Sequence, residues 1–337
     1  MNPLSLLSPL SPRLRRAPQL LSALTAAALL AACGGGGGGS AGADGAPSLP
    51  VASNSLGITS SNYQQAAEAA LVSSSYLLEA GGFGLGGGPG SGSGMARPQQ
   101  GQEGRAQALG TSTNSLACAQ GGSLFVSFND QNNNANLDAG DSLNIDARSC
   151  RQDGQLLQGG LSMTAKTFSG SFGGSSFSGA LQMGLSDFTV IEGSDRYGAT
   201  GSFEVQVSQS GGASEISLVV DKLSLSGTLR GLSFSHQVQD ARLSLRTTAL
   251  GASTSSSTAT VSSNRLDGKS VRVETITPLV TQAGAQYPSS GQLMITGDAR
   301  SKLRLTPQSA TQVLLEVDAD GDGTFEGRYT KAWSELY

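Results

Sequence analysis

Apolar residues recur at every second position through most of the C-terminal two thirds of the chain. Phe203, Val205 and Val207 alternate with Glu204, Gln206 and Ser208, and Ile216, Leu218 and Val220 repeat the pattern. The same period holds at Leu243 and Leu245, at Val271 and Val273, at Leu303 and Leu305, and at Val313, Leu315 and Val317. A strand turns successive side chains to opposite faces, so each run predicts a strand with one buried face. The runs are parted by turn-formers such as Gly211-Gly212, Asn264-Arg265-Leu266-Asp267-Gly268 and Ser289-Ser290-Gly291. Roughly ten or more antiparallel strands joined by hairpins are therefore expected over residues 111–337. The phase slips between Val220 and Leu223 and again between Val238 and Leu243, which predicts bulges where long strands bend. The fold class that follows is mainly β: an antiparallel sandwich, or a curved half-barrel or lipocalin-like barrel, with one N-terminal helix.

A different period occupies residues 60–80. Tyr63, Ala66, Ala67, Ala70, Leu71, Ser74, Leu77 and Leu78 are spaced at three and four, the signature of an amphipathic helix. Ser61 with Gln64 three residues on has the form of a capping box, and Gly81-Gly82 supplies a stop. The stripe is expected to pack on the β domain; with Glu68 and Glu79 as its only charges it is a poor membrane-surface helix. On either side the composition collapses. Residues 33–59 read as a glycine-rich tether, and residues 81–110, rich in glycine, proline, glutamine and serine, as a disordered linker.

At the N-terminus Arg13, Arg15 and Arg16 precede an apolar stretch, Ala17 to Ala32, that is broken by Pro18 and Gln19. It is shorter than the ~20 residues a spanning helix needs, which favours a cleaved signal peptide over residues 1–32. The run Leu30-Ala31-Ala32-Cys33, followed by six glycines, resembles the lipobox of bacterial lipoproteins. The resemblance implies that Cys33 receives a diacylglycerol, becomes the new N-terminus and holds the protein on a membrane. Gly34 in place of an aspartate after it implies the outer membrane. Acyl chains contribute ~0.8 kcal/mol per buried methylene, so no protein surface is needed for anchoring.

Removing that segment changes the charge. The whole chain has 21 basic and 25 acidic residues, and residues 1–32 hold three arginines and no acid, so the mature chain has 18 against 25, a net −7. Nucleic acid and anionic membrane patches are disfavoured as partners. Charged residues are only 14% of the chain, against ~25% in an average soluble domain. The surface they imply is polar but weakly charged.

Two acidic runs are the candidate chemistry. In DQNNNANLDAGD, Asp130, Asn132, Asn134, Asn136, Asp138 and Asp141 fall at positions 1, 3, 5, 7, 9 and 12 of an EF-hand-type calcium loop. Hard oxygen ligands at alternate residues let a short loop wrap one cation. Ala135 stands where glycine makes the sharp turn, Asp141 replaces the bidentate glutamate, and strands rather than helices flank the run. The alternative is a hairpin tip whose side chains cap their own backbone. In VDADGDGTFEG, Asp318, Asp320, Asp322, Thr324 and Glu326 form a second loop with Gly323 at position 6, but position 12 is Tyr329. On ligand count the first loop is expected to bind calcium before the second.

With Cys33 lipidated, Cys118 and Cys150 remain as a pair. If residues 130–141 top a hairpin, positions summing to 271 face each other, which sets Cys150 opposite Gly121 and three residues from Cys118. A disulfide at the hairpin base is expected, as in other oxidising compartments. Catalysis finds little support. The single histidine, His236, shares the phase of Phe234 and Val238 and reads as a hydrogen-bonded wall residue. Glu204, Glu215, Glu274 and Glu316 are scattered along strands as solvated carboxylates with no pair to nominate. The terminal Trp333, Leu336 and Tyr337 suggest a transmembrane barrel, but aromatics at 5% cannot furnish two interfacial girdles.

The poly-glycine tether, the opening ITSSNYQQAAEAAL, the Cys118-to-Cys150 unit with GDSLNI, and the end SGQLMITGDARSKLRLTPQSATQVLLEVDADGDGTFE together resemble uncharacterised outer-membrane lipoproteins of proteobacteria. The resemblance implies a β-rich envelope protein and carries over no catalytic residue. The expectation is a lipid-anchored, non-enzymatic protein with a structural or binding role, with or without calcium. A lipocalin-like carrier of an apolar ligand or lipid is the alternative, and a surface hydrolase a weaker one.

Overall fold

The computed structural model describes residues 54–81, 111–134, 138–152, 154–170, 176–229 and 231–336. The signal segment, Cys33, most of the tether, the linker from residue 82 to 110 and Asn136 lie outside the described residues. The strands are β1 (Thr111–Ala117), β2 (Ser123–Asn129), β3 (Ser142–Gln152), β4 (Gln155–Gly170), β5 (Ser176–Glu192), β6 (Asp195–Ser210) and β7 (Ala213–Leu229). They continue as β8 (Leu232–Thr247), β9 (Ser253–Ser263), β10 (Ser270–Thr281), β11 (Ser290–Thr296), β12 (Lys302–Pro307), β13 (Gln312–Asp318) and β14 (Gly327–Ala332). All fourteen form one antiparallel sheet in strict chain order, so every strand pairs only with its sequence neighbours and the sheet is open, with β1 and β14 at its edges. This is the curved-sheet alternative of the expected mainly β class. Tight turns make it possible: Ser210 pairs with Ala213, and Gly211 and Gly212 between them take φ of 57° and 81°, the two left-handed positions of a type I′ hairpin.

The predicted bulges are present and lie on a crease across the sheet. The register shifts between Ala147 and Cys150 on β3, between Gln158 and Gly160 on β4, between Leu185 and Phe188 on β5, and between Gln239 and Arg242 on β8. Ser149, Asp187 and Asp240 adopt left-handed φ of 50°, 47° and 48° at these shifts. Gly159 sits so close to β5 that an added Cβ would lie 2.3 Å from the Asp187 carbonyl oxygen, which is why glycine stands there. The slips move Val220 and Leu223, and likewise Val238, Ala241 and Leu243, onto one buried face. Each bulge bends its strand and increases its twist, so a line of them curls the long strands.

One face of the sheet carries a single core that runs from Leu124 on β2 to Val317 on β13. The helix α1 (Tyr63–Gly81) packs within it against β7 to β12. Ala66, Ala67, Ala69 and Ala70 are buried, and these small residues let the helix lie close to the strands. Its start differs from the expected capping box. The Thr59 amide donates to Asn62 Oδ1 at 2.8 Å and the Ser61 amide to Thr59 Oγ1 at 3.3 Å, while Gln64 reaches Glu68 Oε1 at 3.2 Å. Arg265 of the 3₁₀ turn Asn264–Leu266 bonds Glu68 at 3.3 Å and pins the helix to the β9–β10 connection.

The last residues of the expected 33–59 tether are packed on the sheet. Leu56 and Ile58 are buried, Ser55 forms a parallel bridge with Ser270, and the Asp298 amide donates to the Leu56 carbonyl at 2.8 Å. Two apolar side chains in a short extended segment leave no period to detect. Trp333 and Leu336 are buried; the indole N–H donates to the Ser309 carbonyl at 3.3 Å and the ring stacks on Tyr287. Among the described residues no helix is long and apolar enough to cross a membrane.

Candidate metal centre

Asp318 ends β13 and is fully buried. Its Oδ1 accepts from the Gly321 amide at 2.8 Å and its Oδ2 from the Gly323 amide at 3.1 Å. Asp320 accepts from the Asp322 amide at 3.2 Å, Asp322 from the Thr324 amide at 2.6 Å, and Glu326 from the Ala319 amide at 3.4 Å. These bonds fold the loop inward. Asp318, Asp320, Asp322 and Glu326 each bring one oxygen to within 4.8 Å of the others, with the last three exposed. Oxygens on opposite sides of one calcium ion, each at 2.3–2.6 Å, lie about 5 Å apart, so four oxygens at this spacing fit a single coordination sphere. Two or more further oxygens would complete it, and the backbone of Thr324 stands at the loop position that supplies a carbonyl.

Glycine serves this loop in two ways. Gly323 takes φ of 96° at the sixth position, where a calcium loop needs its sharp turn. Gly321, with φ of 75°, approaches the turn Asp298–Arg300 so closely that a Cβ would lie 2.4 Å from the Ala299 carbonyl oxygen. Position 12 has a structural duty. Tyr329 stacks on Tyr63 of α1 with ring centroids 4.2 Å apart, so the loop's exit is tied to the helix. The Arg304 guanidinium lies 4.0 Å over the Phe325 ring and bonds Glu316 at 2.8 Å.

The first loop is arranged differently. Asp130 and Asp141 are buried, and Asp141 accepts from the Gln131 amide at 2.9 Å and the Asp138 amide at 2.7 Å. The Asn132 and Asn134 side-chain amides both donate to Asp138 Oδ2, and these bonds hold the Asp138 carboxyl below its ordinary range. Asn132 and Asn134 thus present N–H groups, not oxygens, toward the carboxylate. Among the described residues the second loop, and not the first, gathers three or more carboxylates at metal-ligand spacing.

The disulfide is where the hairpin register puts it. Ser123 faces Arg148 and Leu124 faces Ala147, so positions sum to 271, and Cys118 bonds Cys150 with Cα atoms 5.4 Å apart. Two other expectations need correction. Glu316 is buried between Arg304 and Arg328, at 2.8 and 3.4 Å, because the antiparallel register sets β12 and β14 on either side of it. His236 is a wall residue, 4% exposed, but its Nδ1 has no hydrogen-bond partner. Burial, with the nearby Arg265 charge second, pushes its pKa down to about 4. Glu204 meets Lys166 and Gln206, which hold its carboxyl low. A trough of about 560 Å³ opens on the outer face, lined by Phe125, Asn144, Asp146, Arg148 and the backbone of Gly160 and Gly184.

No protein family, curated protein or solved structure matches this chain.

Proposed function

We propose that the chain is a lipid-anchored structural protein of the bacterial outer membrane whose β14 end is stabilised by calcium bound at the Asp318 loop. The observation that carries the calcium reading is the cluster of four carboxylate oxygens within 4.8 Å around the buried Asp318. Asp318, Asp320, Asp322 and Glu326 would hold the ion, which would supply two positive charges to a set of otherwise repelling carboxylates. The anchor reading rests on Leu30 to Cys33 and on the short apolar segment before it. A carrier of apolar ligands draws less support, because the inner-face leucines and valines form a continuous core with α1.

Asp320 and Asp322 are exposed, so Asp320→Asn and Asp322→Asn remove ligand charge without disturbing the core. An extracellular-type site binds with a dissociation constant of about 0.1–1 mM. At a hundredfold excess, binding stabilises the folded state by ~2.7 kcal/mol, a rise in Tm of roughly 5–10 °C for a domain of this size. The double variant should lose that rise, and Asp130→Ala should keep it. No rise at about 10 mM calcium, or an equal rise with magnesium, would overturn the calcium reading; loss of the rise in Asp130→Ala alone would move the site to the first loop.

A further inference from the structure

The two edges of the sheet are unlike. β14 carries Arg328 and Lys331, its Tyr329 is stacked under Tyr63, and it runs directly into the buried Trp333. Charges and a covered ring are how proteins keep an edge strand from pairing with another chain. β1, TSTNSLA, has none of these devices. It contains no charge and no proline, its seven residues pair with β2 without a bulge, and Thr113 to Ala117 are all exposed, Leu116 by 41%. Every second residue of such a strand turns its N–H and C=O away from its neighbour, which leaves about six to eight backbone groups directed outward.

We propose that β1 pairs with β1 of a second copy of this chain, antiparallel, about a two-fold axis through Asn114. The occupant follows from charge. A two-fold antiparallel pair sets the central residue against itself and its neighbours against their near-symmetric partners, and like charges directly opposite are destabilising. β1 has no charge to meet. Head-to-tail pairing of β1 with β14 would set Arg328 and Lys331 against a strand with no acid, and would build an open filament in place of a closed dimer. In the two-fold register Thr113 faces Ser115 of the second copy. Both residues share the outer face with Phe125 and Ser127, because Ser115 pairs with Phe125 and Thr113 with Ser127. The two outer troughs, each beginning at Thr113, then join across the axis into one continuous floor.

A single strand-to-strand contact falls below the ~1,200 Å² of a standard interface, so the dimer is concentration-dependent. Sedimentation equilibrium of the full chain should show a monomer–dimer equilibrium below about 1 mM. Asn114→Lys and Asn114→Glu should each be monomeric, because the axis sets each charge against itself, and mixing the two should restore dimers. The rescue separates lost pairing from lost folding. A wild-type chain that stays monomeric to about 1 mM, variants that still dimerise, a mixture that does not, or assembly beyond the dimer would each overturn the proposal.

Discussion

Acidification tests the burial of His236. The ring lies on β8 opposite Leu225 and Ser263, stacked 5.2 Å from Phe234, with Nδ1 unpaired. An imidazole in the unfolded chain protonates near pH 6.5, whereas burial keeps this one neutral in the folded protein to about 4. Between those values the unfolded state binds a proton that the native state refuses, so stability falls as the pH falls. The contribution is fully present above about pH 6.5, declines by up to 1.36 kcal/mol per pH unit, and is lost by about pH 4. The total is about 3 kcal/mol, a large share of the 5–15 kcal/mol that holds a domain. Surface carboxylates titrate at the lower end of the same window, so the comparison is with His236→Phe, which keeps a flat ring beside Phe234 and has no proton to take. Urea unfolding between about pH 7 and pH 4 should show the wild type losing about 3 kcal/mol more than the variant. At pH 7 the variant should be no less stable, because the unpaired nitrogen is gone. Parallel pH profiles, or a ring-proton NMR titration of His236 near 6.5, would refute the argument.

Replacing both Cys118 and Cys150 by serine should lower stability by about 3 to 4 kcal/mol, the chain-entropy value for a loop with a sequence separation of 32; in the native wild type neither thiol should react with a maleimide until the protein is reduced and unfolded. Ala70→Leu should cost about 1–3 kcal/mol by urea melt, since the fully buried methyl faces strands packed close to the helix. Cys33→Ser should move the protein from the membrane fraction to the soluble periplasm, and unchanged membrane association would defeat the anchor.

The sequence carries the sheet through its period of two. The slips at Val220–Leu223 and Val238–Leu243 correspond to register shifts of β7 against β6 and of β8 against β9, and a symmetric hairpin about residues 130–141 was enough to pair Cys118 with Cys150. These are local features, and a meander has only local pairings to predict. Features that depend on the exact register of a hairpin, or on segments far apart in the chain, were not legible from the alternation alone. Glu316 gives no sign in its own segment that Arg304 and Arg328 will flank it. Leu56 and Ile58 lack a period, and their partners at Ser270 and Ser301 lie more than 200 residues away. Ligand count favours the first acidic loop, whereas the spacing of carboxylate oxygens favours the second, where Asp318, Asp320, Asp322 and Glu326 each bring one within 4.8 Å of the others.

The disulfide and the acidic loop occupy corresponding places. An open sheet is least secure at its edges, where strands have one neighbour and local opening costs least. The Cys118–Cys150 bond ties the chain leaving β1 to β3, one strand beyond its only partner. The Asp318 loop joins β13 to β14, and its exit residue Tyr329 is held by α1. The middle of the sheet, where strands of 16 or 17 residues pair on both sides, contains neither device. Both clusters of distinctive residues therefore sit where a fourteen-strand meander would fray. That placement leaves the outward backbone of β1 as the one unguarded edge that the described residues present.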